Sequence, residues 1–216
     1  MKAIFKTNVS FLLPYILFII LGAFLLVINT KTETHLNFNT LHSSFFDTFF
    51  YYATYLGDGV IVLLTVIILM AVKYRYAVII GLSNIIASII TQTLKQTIFN
   101  DVVRPKKFFE GIQELYFVPG VENHLYYSFP SGHATCAFSL YFALALLVKN
   151  KVLELSLFFV ALLAGFSRIY LSQHFFEDVY AGSLIGICTT FTVYYLIQKS
   201  NKNWMNGSLI ITFKKQ

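Results

Sequence analysis

Charge is scarce in this sequence. Of its 216 residues only 12% are Asp, Glu, Lys or Arg, about half the share of an ordinary soluble domain, which argues against a soluble protein. Cysteine is nearly absent as well: Cys136 and Cys188 both fall in apolar stretches, so neither a disulfide framework nor a thiolate metal site is expected. The chain has no P-loop, no carboxylate cluster suited to magnesium, no internal repeat and no low-complexity tract. A cleavable leader is not expected. Lys2 and Lys6 precede an apolar run over 11–29 that is too long for a signal core and lacks a small-residue cleavage site. It reads as a first transmembrane helix, with Pro14 near its start, where a missing N–H costs little. What the chain has is apolar residues, 57% of the total, and a mean hydropathy of +0.68. The net charge of +6 comes from residues scattered between apolar runs. That pattern fits the basic loops of a membrane protein rather than a nucleic-acid stripe.

A transmembrane helix needs about 20 apolar residues. Six segments approach this, 11–29, 59–72, 77–99, 133–148, 152–170 and 179–198, and they predict an all-α, six-span bundle. Between the first two lies 41–56, with Phe45, Phe46, Phe49, Phe50, Tyr51, Tyr52 and Tyr55. Such an aromatic stretch predicts a helix lying in the membrane interface, the alternative being an ordinary packed helix. With the N-terminus inside, ten of the sixteen Lys and Arg residues fall on the inner side (Lys2, Lys6, Lys73, Arg75, Lys149, Lys151, Lys199, Lys202, Lys214, Lys215) and nine of the ten acidic residues on the outer side. The positive-inside rule therefore predicts N-in and C-in. We expect 1–200 to be one transmembrane domain and 201–216 a short basic cytoplasmic tail.

Three blocks carry the chemistry, and this topology brings all three to the outer face. The first runs from Lys95 to Arg104-Pro105, the second is Phe129-Pro130-Ser131-Gly132-His133, and the third runs from Ser167-Arg168 to His174 and Asp178. Phosphoryl transfer is mostly positioning plus electrostatic stabilisation of charge on the phosphate oxygens. Lys95 offers a point charge, and Arg104 and Arg168 offer planar forks. Ser131 and Gly132 precede a helix whose first N–H groups lack internal partners, a natural anion site. His174 and Asp178, four apart, share a helix face, so the carboxylate can orient the ring and leave one nitrogen as a nucleophile. His133 is placed to act as general acid and then as general base. Each residue alone has a structural explanation: snorkelling for the cations, capping for Ser131, a surface pair for His174 with Asp178. Their joint placement on one face is what favours a site.

At these residues the sequence resembles the type 2 phosphatidic acid phosphatase superfamily, whose soluble members include bacterial acid phosphatases and vanadium haloperoxidases. Pro130-Ser131-Gly132-His133 matches the second part of the family pattern, and Arg168, His174 and Asp178 match the third in identity and spacing. The first part departs from it. Eight residues separate Lys95 from Arg104, more than is usual, an insertion that can be absorbed if the chain leaves its helix near Asn100. The resemblance implies His174 as nucleophile, Asp178 as its orienting partner and His133 as acid and base. It implies phosphate binding by Lys95, Arg104, Ser131, Gly132 and Arg168, and a reaction with neither metal nor cofactor.

The expected function is removal of phosphate from a membrane lipid, with an isoprenoid diphosphate such as undecaprenyl diphosphate as first choice. Lipid A and phosphatidic or phosphatidylglycerol phosphates follow. The competing reading is a non-catalytic phosphate or headgroup binder, or a transporter. The aromatic loop over 100–129, with Phe108, Phe109, Tyr116, Phe117, Tyr126 and Tyr127, is expected to form a lid or acyl-chain surface. No nucleic-acid partner is expected. The compact size suggests a bacterial inner membrane, with the site facing the periplasm.

Overall fold

The computed structural model describes residues 2–210, and all regular structure among them is helical. A short α1 (Lys2–Thr7) leads into α2 (Val9–Ile28), α3 (Lys31–Asn39) and α4 (Ser44–Ala53). A 3₁₀ turn (Thr54–Gly57) then precedes α5 (Gly59–Val72), α6 (Tyr74–Thr97) and a single turn, α7 (Pro105–Phe108). The three helices that follow are α8 (Gly132–Leu147), α9 (Lys151–Tyr170) and α10 (Phe176–Gln198). Helices occur at all six expected segments. Among the described residues, however, four helices (α2, α6, α9, α10) are long and apolar enough to cross a membrane, and the pair α4–α5, bent by 51°, makes a fifth candidate. With 16 residues, α8 is about 24 Å long, short of a hydrocarbon core of about 30 Å.

The helix starts follow from the sequence. Thr30 and Glu33 form a reciprocal capping box on α3, and Ser43, Asp58, Ser131 and Asn150 cap α4, α5, α8 and α9 with side-chain oxygens. One local expectation is corrected. Pro14 is the sixth residue of α2, inside the helix rather than at its start, so the helix forgoes an internal hydrogen bond there instead of an end group that lacked a partner anyway.

The short helix α8 is the centre of the bundle. It packs against α6, α9 and α10, and eleven of its side chains are buried, as expected of a helix apolar all round. Phe11 of α2 joins it through Phe142, with ring centroids 5.1 Å apart, and meets Phe158 of α9 edge-on. The outer faces of α2 and α5 instead expose Leu17, Leu21, Phe24, Leu63 and Ile68, surfaces suited to lipid. Contact between α8 and α10 is at backbone distance. A β-carbon on Gly182 or Gly186 would lie 2.6 Å from the carbonyl oxygen of Ser131 or Thr135 respectively, the close approach that small residues four apart allow.

The aromatic helix exists as α4. It buries Phe50 and Ala53 and exposes Phe45, Phe49 and Tyr52. Its Asp47 accepts hydrogen bonds from His42 (2.9 Å), Tyr116 (2.8 Å) and Tyr170 (2.6 Å), tying α4 to the long loop and to α9. The long loop is likewise anchored to α3, where Asn39 exchanges two hydrogen bonds with the backbone of Tyr116. Phe109 does not contribute to an exposed acyl-chain surface, contrary to expectation. It is 2% exposed and packs on His35 and Phe175, because the loop needs an apolar core of its own to stay folded. After α10 the chain turns back, with Arg75 donating to Ile197 O and Ser200 O, and Tyr74 N to Gly207 O. Lys214 and Lys215 lie outside the described residues.

Candidate active site

The backbone N–H groups of Gln173 and His174 both donate to Arg168 O, at 2.9 and 3.1 Å, folding the chain back over the end of α9 before α10 begins. Asp178, in the first turn of α10, is the hub of this turn. Its Oδ2 accepts from His174 Nδ1 (3.1 Å), Ser128 Oγ (2.5 Å) and Phe175 N (3.0 Å). A carboxylate is favoured at a helix N-terminus. Because a carboxylate only accepts, Nδ1 carries the proton and Nε2 presents its lone pair. Burial, reinforced by Arg104, Lys95, Arg168 and His133, holds the His174 imidazole well below its ordinary pKa and hence neutral.

The insertion between Lys95 and Arg104 is absorbed as expected, except that α6 ends at Thr97, before Asn100. The next stretch runs alongside 125–128, with Arg104 N bonded to Leu125 O and Ser128 N to Val102 O, both at 2.9 Å. As a result Lys95 Nζ reaches Tyr127 O and Arg104 Nε reaches Tyr126 O, each at 2.9 Å. Arg168, in the last turn of α9, donates to Thr54 Oγ1 at 2.7 Å. All three cations are at least 91% buried. Asp178 spends its bonds on His174, Ser128 and Phe175 rather than on these cations, and among the described residues Arg168 Nε has no protein partner. Buried positive charge in excess is costly unless paired, so the arrangement suits a dianion.

At the start of α8, Ser131 N bonds to Asp178 O at 2.9 Å, and Ser131 Oγ accepts from Ala134 N. A β-carbon on Gly132 would meet nothing within 4 Å, so the helix N-terminus is open to an approaching anion. His133 lines a cleft of about 210 Å³ with Arg168, Gln173, Thr54, Asp58 and Glu122. A larger hollow of about 790 Å³ lies within the long loop, between Lys106 and Leu125, and contains none of the expected site residues. Of the two, only the smaller is lined by expected site residues, His133 and Arg168. Among the described residues no group of three or more His, Cys, Asp or Glu is placed to hold a metal ion.

The eight residues singled out from the sequence thus occupy one end of the bundle around α8. Sequence reasoning missed Ser128, Thr54 and Gln173, which bond directly to members of that set. Ser128 stands one residue before Phe129-Pro130-Ser131, where its neighbourhood was a hint. Thr54 was hidden in an aromatic stretch, and Gln173, a neutral amide, gave no charge signal.

The model of the PAP2 superfamily matches residues 75–202. A curated relative, the lipid A 4'-phosphatase of Bacteroides thetaiotaomicron, is 25% identical over 175 residues, covering 78% of this chain and 77% of that protein. The lipid A 4'-phosphatase of Porphyromonas gingivalis is 30% identical over 82 residues, 38% of this chain and 35% of that protein. Among solved structures, LpxE of Aquifex aeolicus superposes with a TM-score of 0.68 at 25% identity, covering 76% of this chain and 94% of that one. The transmembrane PAP2-type phosphatidylglycerolphosphate phosphatase of Bacillus subtilis gives 0.65 at 24% identity, covering 91% and 98%. This last is a likeness of fold.

Proposed function

Because the chain belongs to the PAP2 superfamily and is a membrane lipid phosphatase, we propose that it removes a phosphate monoester from a lipid A-type glycolipid through a phosphohistidine. The observation that carries the mechanism is the buried His174–Asp178 pair, a neutral imidazole whose charged form is disfavoured by burial and by Arg104, Lys95 and Arg168. A simple anion binder needs no oriented neutral imidazole. In the first step His174 Nε2 bonds to phosphorus, the P–O bond to the lipid breaks, and the departing oxygen takes a proton from His133. In the second, His133 accepts a proton from water as the water oxygen attacks phosphorus, releasing inorganic phosphate and restoring His174. The three cations, the α8 N-terminus and Gly132 stabilise the equatorial oxygens. No step requires a metal.

Undecaprenyl diphosphate, the first choice from sequence, is not supported. Both curated relatives are named for lipid A, which moves the second choice to first. The cleft beyond His133 favours the same order. Its wall of Tyr51, Tyr55, Asp58, Glu122 and His124 offers ring faces and hydroxyl-accepting carboxylates to a sugar, which an isoprenoid diphosphate lacks. An apolar groove of about 570 Å³, lined by Phe45, Phe49, Tyr52, Ala53, Leu56 and Leu163, runs along α4 and the turn after it and would take the acyl chains. On this reading α4 lies in the interface, and the proposal extends to six spans with both termini inside, 1–200 as the catalytic domain and the site on the periplasmic side of a bacterial inner membrane. Tyr126 and Tyr127, half exposed, would then cover the headgroup as part of a lid.

The test is phosphate release by purified protein from lipid A, phosphatidic acid, phosphatidylglycerol phosphate and undecaprenyl diphosphate, with EDTA present, comparing wild type with His174→Ala. Release that persists in EDTA, is greatest on lipid A and vanishes in the variant is expected. Binding of lipid A without release, by folded wild type, would replace the enzyme with a headgroup binder or transporter.

A further inference from the structure

Gln173 has no part in the mechanism above, yet its side chain is 2% exposed and fully used. Its Oε1 stands 3.4 Å from both Arg104 Nη1 and Arg168 Nη2. Its Nε2 donates to Glu122 O at 2.8 Å and Asn123 Oδ1 at 2.6 Å. Its backbone oxygen takes a further hydrogen bond from Arg104 Nη1, at 3.1 Å. One amide therefore touches two like-charged guanidinium groups on one side and the wall of the headgroup cleft on the other.

The residue type matters here. Two guanidinium groups repel, and an apolar side chain between them would leave buried donors unspent. A carboxylate would satisfy the donors but cancel the positive charge that a phosphate dianion needs. A neutral amide accepts from both and leaves the charge intact. We infer that Gln173 is a positioning residue: it sets the spacing of the Arg104 and Arg168 forks for one phosphate and braces them against residues 122–123. This rests on the reading of the site as a phosphate site, and goes beyond it in assigning the residue that holds the two arginines in register.

The variant Gln173→Glu changes charge and keeps shape. Inorganic phosphate serves as probe, through inhibition of lipid hydrolysis and through the rise in Tm it produces, since a ligand of the native state stabilises it. The carboxylate gains charge-assisted bonds from the two guanidinium groups but loses the amide donor to Glu122 O and Asn123 Oδ1, so we expect the variant to fold with a Tm close to that of wild type in the absence of phosphate, to bind phosphate about tenfold to a hundredfold more weakly, and to lose kcat/KM in proportion. Asn123→Ala removes a side-chain acceptor at the far end of the brace, in a half-buried loop position, and should raise KM and weaken phosphate binding severalfold with little change in Tm. A purely structural glutamine predicts loss of Tm without selective loss of phosphate binding. Phosphate affinity within threefold of wild type in folded Gln173→Glu would overturn the inference, as would an unaffected Asn123→Ala should Gln173→Glu fail to fold. If wild type binds phosphate but hydrolyses no lipid, the enzymatic reading fails and the phosphate-induced Tm shift still decides the role of Gln173.

Discussion

Gly182 of α10 lies directly beneath the carbonyl oxygen of Ser131, so close that a β-carbon on it would stand 2.6 Å away. The contact brings Asp178, one turn earlier on α10, to where its own carbonyl accepts the Ser131 N–H. The anion-binding end of α8 and the His174–Asp178 pair are thereby held as one unit. The obstacle is backbone, which cannot swing aside, so Gly182→Ala must part α8 from α10. A loss of about 1–3 kcal/mol in stability is expected from overpacking of this kind, together with loss of activity. Thermal unfolding and phosphate release measured on the same preparation check both. An unchanged Tm would show that the helices are not held at this contact.

Gly132 gives the opposite prediction. A methyl group there meets no protein atom within 4 Å and sits in the first turn of α8, where alanine is the better helix former. Gly132→Ala should fold as well as wild type. The methyl should instead intrude on the phosphate, raising KM by about tenfold, the equivalent of one charge-assisted hydrogen bond. Unaltered KM would place the phosphate elsewhere.

The same contrast shows what was legible in the sequence. The candidate site residues could be picked out because charge and histidine are rare in an apolar chain, so Lys95, Arg104, Arg168, His133 and His174 stand out where they occur. The helices were legible from their apolar runs, whereas the caps at Asp58 and Asn150 emerged only with the structure. The span count was less so: α8 is apolar but short, and only its position among α6, α9 and α10 explains how a helix of that length is accommodated. Gln173 and Thr54 were illegible because their importance lies in which groups they reach across the fold. Pairing of 102–104 with 125–128 was equally hidden, since it is made by backbone groups that every residue possesses.

That pairing makes Lys95 and Arg104 donate to adjacent carbonyls, and it predicts that the two are not interchangeable. Arg104 uses Nε on Tyr126 O and Nη1 on Gln173, a geometry that requires a planar fork. Arg104→Lys should therefore lower kcat/KM by about a hundredfold or more, the usual consequence of losing a preorganised donor. Lys95→Arg must fit a larger head into a site that is 6% exposed and should lose stability as well. Arg104→Lys activity near that of wild type would mean that charge alone suffices at this position.

A last prediction concerns acid. His35, on α3, is 1% exposed, stacked on Phe109, and bonded through Nε2 to Ser172 Oγ at 3.2 Å. Burial, with a smaller push from His42, lowers its pKa to about 4. In the unfolded chain a histidine titrates near 6.5, so between these values the unfolded state binds a proton that the folded state refuses. Stability associated with His35 is thus fully present above about pH 6.5, falls as pH drops through this window and levels off below about 4. The whole effect amounts to roughly 3 kcal/mol. His35→Gln retains a partner for Ser172 and does not titrate, so its Tm should fall less than that of wild type between pH 7 and pH 4. Parallel curves would mean that His35 is hydrated enough to charge in place, and that the α3–loop contact beside it opens in acid at no cost to the fold.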